Sequence, residues 1–135
     1  GQSITGNSVT VVNYEDITYD DHNAVVVGAG GVFTCPRAGK LRVSAKAQLA
    51  SNAGWAVGEV AYLSVFKNAV EYGRGEFDSP VTATIVVNLS VDDEVMVIAG
   101  DLIDIRIFQN SGGTIAMTAT SVLNFVSINY VGGSY

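Results

Sequence analysis

The sequence is poor in the residues that most catalytic and metal sites need. Its 135 residues include one cysteine, Cys35, and one histidine, His22. One cysteine cannot form an internal disulfide bond, and the two residues cannot supply a cysteine–histidine zinc site within one chain. Lysine and arginine number 7 against 13 aspartates and glutamates. Because phosphate-binding surfaces need the opposite balance, the composition argues against nucleic acids and anionic membranes as partners.

Long apolar runs are also missing. No run approaches the roughly 18–20 residues that a membrane-spanning helix needs. The first residues, Gly1–Thr5, show neither the basic start nor the apolar segment of a signal peptide. Hydrophobic residues nevertheless make up 48% of the chain and charged residues only 15%, which argues against disorder. A chain of this length is expected to form a single domain, residues 1–135.

What the sequence does have is short segments in which apolar and polar residues alternate. Leu41–Leu49 alternates throughout, and Leu102–Phe108 does so in part. Val60–Phe66 is more uniformly apolar, as is typical of a strand covered on both faces. Asn124–Val131 has the pattern of a closing strand. No stretch sustains the period of 3.6 residues that an amphipathic helix requires, so the pattern predicts strands throughout.

Residues that favour turns separate these segments. They occur at Pro36–Gly39, Ser51–Gly54, Ala99–Asp101 and Asn110–Gly113, and Lys67–Val70 is short enough to close a tight hairpin. Strands at this regular spacing predict an all-β sandwich, jelly roll or barrel.

One motif resembles a known family. The segment Gly31–Ser44, with Phe33 followed by Pro36 and Gly39, resembles the signature of the C1q/TNF-like jelly roll. Upstream, Tyr14 precedes Asp20 at the family's aromatic-to-acid spacing.

The bacteriophage and prophage version of this module is the better match. Four segments resemble it in order and spacing, and together they extend over nearly the whole chain. They are Gln2–Tyr14, Ala56–Asn68, Ala99–Gly113 and Asn124–Gly133.

The resemblance implies a ten-stranded, double-sheet jelly roll that assembles as a homotrimer and is not an enzyme. Such modules bind proteins, glycans or surfaces, and in phages they belong to the virion, on tail fibres or capsids.

The leading hypothesis is a tail-fibre tip domain that binds a host-surface glycan or protein. The alternative is a free-standing decoration protein that binds the major capsid protein and stabilises the head. The jelly roll starts almost at Gly1, which favours decoration for a complete chain and receptor binding for an excised domain.

A carbohydrate-active jelly-roll enzyme is the third, disfavoured hypothesis. A Ser–His–acid arrangement would need His22, which we interpret as a solvated loop histidine. Carboxylate pairs for glycoside hydrolysis, such as Glu76 and Asp78, fall in predicted turns where solvated acids are common. Cys35 precedes a proline within a turn, and an inert thiol is favoured there over a nucleophile.

The densest acidic run is the weak candidate for a metal site. Asp92, Asp93 and Glu94 could contribute oxygen ligands to Ca²⁺, and the resemblance adds that some C1q-like trimers bind Ca²⁺ at loop tips. Their spacing matches no EF-type loop, so a solvated acidic turn is favoured. We therefore expect no cofactor, with Ca²⁺ as the one candidate.

The candidate partner contacts are aromatic residues and an arginine in predicted loops: Trp55, Tyr72, Arg74 and Phe77. An exposed Trp55 would suit sugar stacking or a protein hot spot, whereas a buried one would cover the core, and the sequence leaves both open. The resemblance places trimer contacts on the closing strand. The candidates there are Phe125, Ile128 and Tyr130, and a plain core role explains Phe125 equally well.

Overall fold

The structure, a computed structural model, describes residues 1–14, 25–26, 30–51 and 54–131. Within these ranges the regular secondary structure is strand, and no helix is present. None of the described segments therefore forms a helix that could span a bilayer. The all-β prediction is confirmed. The interpretations of His22 and Asp20 concern residues outside the described ranges.

Thirteen strands follow one another along the described chain. They are β1 (Ser3–Ile4), β2 (Thr10–Val11), β3 (Val25–Val26), β4 (Val32–Thr34), β5 (Gly39–Leu49), β6 (Gly54–Trp55), β7 (Val60–Lys67), β8 (Val70–Asp78), β9 (Ala83–Thr84), β10 (Val87–Val97), β11 (Leu102–Gln109), β12 (Ile115–Ala116) and β13 (Phe125–Val131). The four segments with the strongest strand patterns in the sequence correspond to β5, β7, β11 and β13.

The strands form two main antiparallel sheets. The first sheet has the order β10-β5-β13. The second has the order β3-β4-β11-β7-β8, and β2 pairs with β11 beside it. The short strands pair as β1 with β12 and β6 with β9.

Alternation places one face of each sheet in a common core. Along β5 the buried residues are Leu41, Val43, Ala45, Ala47 and Leu49, and the side chains between them point outward. The second sheet contributes buried residues of β7 and β11: Leu63, Val65, Ile103, Ile105 and Ile107. Burying one such aliphatic side chain stabilises the fold by about 1.5–3 kcal/mol, so this core holds the two sheets together.

The hairpin predicted at Lys67–Val70 is confirmed. Asn68 and Ala69 have φ angles of 49° and 65°, as a two-residue type I′ turn requires. The Asn68 side chain fixes the turn, because its amide donates to Asp101 Oδ1 at 2.8 Å and its Oδ1 accepts from Leu102 N at 2.9 Å.

Two predictions of loops and turns are wrong. Tyr72, Arg74 and Phe77 lie on strand β8, and the acids at positions 92–94 lie on strand β10. In β8, Gly73 and Gly75 suggested a loop, but both glycines face β10 closely, where a side chain would collide with it. In β10 the acids follow the strand's alternation, with buried valines on either side of them in the sequence.

Candidate binding surfaces

The outward face of the second sheet carries interleaved aromatic and charged side chains. On β7, Tyr62, Ser64 and Phe66 share the face that points away from the core; Tyr62 and Phe66 are half-buried there, and Ser64 is fully covered by its neighbours. They lie between outward residues of β11 and of β8, to which they are paired in register. We call this surface the aromatic–arginine face. Its residues are Tyr62, Ser64, Phe66, Glu71, Arg74, Glu76, Asp104, Arg106 and Phe108.

Arg106 links a buried carboxylate to an aromatic ring on this face. Its Nε lies 2.7 Å from Asp104 Oδ1, and its guanidinium lies 4.3 Å from the centroid of the Phe66 ring. Asp104 is 8% exposed, and a charge at that burial needs a partner. The hydrogen bond to Asp104 raises the pKa of Arg106 above its ordinary value. Each charge of the pair therefore has a partner within the chain.

Arg74, the second arginine of this face, pairs with two carboxylates, those of Glu71 and Glu76. It holds Glu71 with two hydrogen bonds of 2.8 and 2.9 Å, and Ser64 Oγ donates to the same carboxylate at 2.6 Å. The Arg74 guanidinium lies 3.7 Å from the centroid of the Tyr62 ring, which stacks on Phe108 at 4.9 Å. The bonds from Arg74 and Ser64 lower the pKa of Glu71. Both arginines of the face therefore already have carboxylate partners within the chain.

A second surface lies at the end of the sandwich where the β7–β8 hairpin meets the turn between β10 and β11. Its large apolar side chains are 43–66% exposed. We call it the end patch. Its residues are Val70, Tyr72, Met96, Ile98 and Leu102.

Backbone contacts and a shared groove bring the members of the end patch together. Lys67 Nζ donates to the Met96 carbonyl at 3.0 Å and lies 5.1 Å from the centroid of the Tyr72 ring. Asn68 N donates to the Leu102 carbonyl at 2.9 Å. An open groove beside these contacts is lined by Lys67, Met96, Val97, Ile98 and Asp101.

The polar groups of this end are used within the chain. Asp101 accepts from Ile98 N at 2.9 Å and from the Asn68 amide at 2.8 Å, and it lies 3.9 Å from Lys67 Nζ. The hydrogen bond from Ile98 N, followed by that from Asn68, lowers the pKa of Asp101. The end patch therefore presents mainly carbon atoms to solvent.

The structure buries Trp55, which is one of the two alternatives that the sequence left open. The side chain is 1% exposed and packs edge-to-face on Phe77 with the ring centroids 5.7 Å apart. Phe77 is itself half-buried against the core. Trp55 therefore belongs to the core, with Phe77 packed against it at the edge. Among the described residues, the Trp55 indole nitrogen has no hydrogen-bond partner.

Tyr72 is exposed because β8 contains a bulge. Opposite Val65 stands Gly73, and opposite Phe66 stands Glu71. Tyr72 is the extra residue between them, and its side chain is 50% exposed. Of the four candidate contacts, Tyr72 and Arg74 are on exposed positions, but they belong to different surfaces: the end patch and the aromatic–arginine face.

The three candidates on β13 do not share a face. Phe125 points outward and is 38% exposed, whereas Ile128 and Tyr130 pack against the core. The Tyr130 hydroxyl donates to the Arg37 carbonyl at 2.7 Å, and the Arg37 guanidinium lies 4.1 Å from the centroid of the Tyr130 ring. Alternation along the strand separates Phe125 from the other two, so one flat contact cannot use all three.

The three carboxylates of the acidic run do not converge on one point. Asp92 accepts two hydrogen bonds from Arg42, at 3.2 and 2.8 Å, and Glu94 lies 3.2 Å from Lys40 Nζ. Asp93 lies between them on β10 and points to the opposite face. Within the described ranges, no group of three or more metal-ligating side chains comes together.

The lone cysteine has a buried thiol, one of the forms that the sequence favoured. Cys35 is 1% exposed, and burial raises the pKa of its thiol to about 11. At neutral pH the sulfur is therefore protonated, and the nucleophilic thiolate is scarce.

The sequence did not reveal the aromatic–arginine face or most of the end patch. Their side chains come from strands far apart in the chain, so register and turn geometry decide which of them meet. The alternation of β7 and β11 indicated two faces, but it could not show which arginine would lie over which ring.

Comparisons with known proteins bear on the fold. No protein-family model matches the chain, and no curated protein sequence matches it. Among solved structures, the globular domain of zebrafish complement 1qA protein is similar, with a TM-score of 0.60 and 13% sequence identity. The match covers 98% of this chain and 97% of that one. At this identity the likeness shows the fold alone, and it confirms the C1q-like jelly roll.

Proposed function

We propose that this chain is a non-enzymatic binding module that acts as a homotrimer. The observation that carries the proposal is the likeness to a C1q globular domain over the whole chain. Because one fold can serve many functions, the surfaces supply a second line of support. The described residues present an apolar end patch and a face rich in tyrosine, phenylalanine and arginine, which are residue types enriched at protein interfaces.

We further propose that the module belongs to a phage virion and binds a host-surface glycan or protein as a tail-fibre tip. The support is the resemblance of four segments, in order and spacing, to the phage version of the fold. Trimerisation would give such a module three equal contacts, so that weak single-site affinity becomes strong avidity when sites are engaged together.

Two measurements test this function. The first is the mass in solution by light scattering, where a trimer near 42 kDa, three times 14.1 kDa, is expected. The second is the binding of the labelled trimer to a glycan array, to intact bacteria of several hosts and to expanded phage capsids. Binding to cells or glycans supports the tip domain. Binding to capsids alone, with increased heat resistance of the head, contradicts it in favour of decoration.

The non-enzymatic part has its own test. The purified chain is incubated with host capsular and wall polysaccharides, and reducing ends are measured over time. We expect none to be released. Sustained release that scales with protein concentration would contradict the proposal and revive the glycosidase hypothesis.

A further inference from the structure

The aromatic–arginine face is unusual for the outward side of an antiparallel sheet. Such a side is commonly polar where it meets water, yet three of its positions here hold the rings of Tyr62, Phe66 and Phe108. The sequence of β7 has the apolar pattern of a strand covered on both faces, and only one of those faces meets the core. Two guanidinium groups, of Arg74 and Arg106, lie against the rings.

The polar groups of this face are held in fixed positions. Arg74 lies between the Tyr62 ring, 3.7 Å from its guanidinium, and the Glu71 carboxylate, to which it donates two hydrogen bonds. Arg106 is held in the same way between a ring and the carboxylate of Asp104. These side chains lose little conformational freedom when a ligand binds, and a low ordering cost favours affinity.

Charge argues against an ionic ligand on this face. The face holds two arginines and three carboxylates, those of Glu71, Glu76 and Asp104, and each carboxylate is paired with an arginine. An anion would approach guanidinium groups whose charge is already compensated, on a chain with a net charge of −6. A cation would compete with an arginine for the same carboxylate oxygens. An uncharged ligand meets neither obstacle.

Hydroxyl groups suit the donors and acceptors that this face presents. Arginine carries five N–H donors, and Arg106 directs only Nε and one terminal nitrogen at Asp104. A carboxylate has about four acceptor positions, and Glu76 is reached by Arg74 at 3.4 Å, so it can accept further hydrogen bonds. A hydroxyl both donates and accepts and can therefore bridge a guanidinium and a neighbouring carboxylate. A saccharide carries such hydroxyls on adjacent carbons, beside C–H groups that can contact the rings.

A protein surface fits this face less well than a saccharide. The centre of a protein interface is depleted of charged residues and closed to water. Here cross-strand pairing places Arg106, Ser64 and Arg74 in one row through the middle of the face. A protein seated on this row would remove water from the arginines and their carboxylates, which is costly even for paired charges. Sugar hydroxyls replace that water with hydrogen bonds of the same kind.

We infer that the aromatic–arginine face binds an uncharged saccharide, with Arg74 and Glu76 as its principal polar contacts. This inference rests on the proposed function, for which it names the class of ligand and the surface that binds it. An open sheet face makes few contacts with one sugar, so each site binds weakly and avidity comes from several sites engaged together.

The test measures binding of the fluorescently labelled full chain to an array of uncharged and acidic glycans and to intact bacteria. The face variants are Arg74→Met and Glu76→Gln, the second at a side chain that is 41% exposed. The matched controls are Arg42→Met and Asp92→Asn, which alter an exposed arginine–carboxylate pair on the outward side of the other sheet. Urea unfolding measured by circular dichroism shows whether each variant is folded, and Glu76→Gln decides if Arg74→Met is not.

We expect the unmodified chain to bind uncharged glycans and both face variants to bind them at least about tenfold more weakly, while the controls bind as the unmodified chain does. Unchanged binding in the folded face variants would overturn the inference and leave the proposed function standing. The same holds if the chain binds bacteria or acidic glycans but no uncharged glycan. A chain that binds neither bacteria nor any glycan would overturn both.

Discussion

Gly75 of β8 lies against the backbone of Ser90 on β10, so closely that a Cβ atom built on Gly75 would overlap the Ser90 carbonyl oxygen. The two strands belong to different sheets. This contact closes one corner of the sandwich, and the end patch lies at the end of that corner. A glycine is needed because any side chain at position 75 would force the two strands apart.

Gly75→Ala should therefore destabilise the fold. Overpacking a tight site typically costs about 1–3 kcal/mol, and here the obstacle is backbone, which cannot rotate away. The free energy of unfolding, measured by urea denaturation, is expected to fall by at least this amount. The matched control is Gly113→Ala, because a Cβ at Gly113 has no heavy atom within 4 Å. Equal stability of the two variants would contradict the close approach.

The neighbouring Gly73 has a different obstacle. A Cβ at Gly73 would lie 2.6 Å from Asp93 Oδ2, the end of a side chain that truncation can remove. Gly73→Ala should destabilise the chain alone but much less in an Asp93→Ala background. A double-mutant cycle is expected to show a coupling free energy of about 0.5–3 kcal/mol, the range for residues in contact. Strict additivity of the two substitutions would show that Asp93 does not occupy the space beside Gly73.

These glycines show what could and could not be predicted. Strands β5 and β11 were predictable because alternation of side chains is a local property. β10 also alternates, from Val87 to Val97. Asp93, however, occupies an inward position that would otherwise be apolar, so the sequence around it has the composition of an acidic turn. Strand β8 was missed because its glycines serve the packing against another sheet, and that neighbour cannot be identified from the local sequence.

The candidate site divides in the same way. Tyr72, a candidate partner contact, is exposed, but it owes its exposure to a bulge and not to a loop. The burial of Trp55 could not be predicted because it depends on which residues cover the ring. Phe77, which packs against it, lies far along the chain. The partners of Arg74 and Arg106 depend on strand register, which composition does not reveal.

The pairing of Glu71 predicts a loss of stability in acid. Hydrogen bonds from Arg74 and Ser64 lower its pKa below the ordinary 4.5. Its charged form therefore stabilises the fold above about pH 4.5, and this contribution is lost as the pH falls through the lowered pKa. Glu71→Gln should reduce the free energy of unfolding at pH 7, and the difference from the unmodified chain should shrink as the pH falls below 4.

Urea denaturation at pH 7, 4 and 3 measures this difference. Asp78→Asn is the control, since Asp78 lies on the same strand and makes no ion pair among the described residues. A difference for Glu71→Gln that stays constant from pH 7 to pH 3 would exclude the carboxylate as its source.

Cys35 should report on the turn beneath the end patch. Its backbone N donates to the Asp101 carbonyl, and its carbonyl accepts from Gly100 N, both at 2.8 Å. The turn is therefore bonded to the backbone of Cys35, whose thiol is buried and is protonated at neutral pH because its pKa is about 11. A disulfide reagent at pH 8 should modify the native chain very slowly and the urea-unfolded chain at the rate of a free thiol.

Asp101→Asn weakens the ion pair with Lys67, so it should open the turn more often and speed modification of Cys35 without changing the rate in the unfolded chain. If that variant and the unmodified chain react equally slowly, the thiol becomes accessible through a different opening, and the Lys67–Asp101 pair does not control the turn.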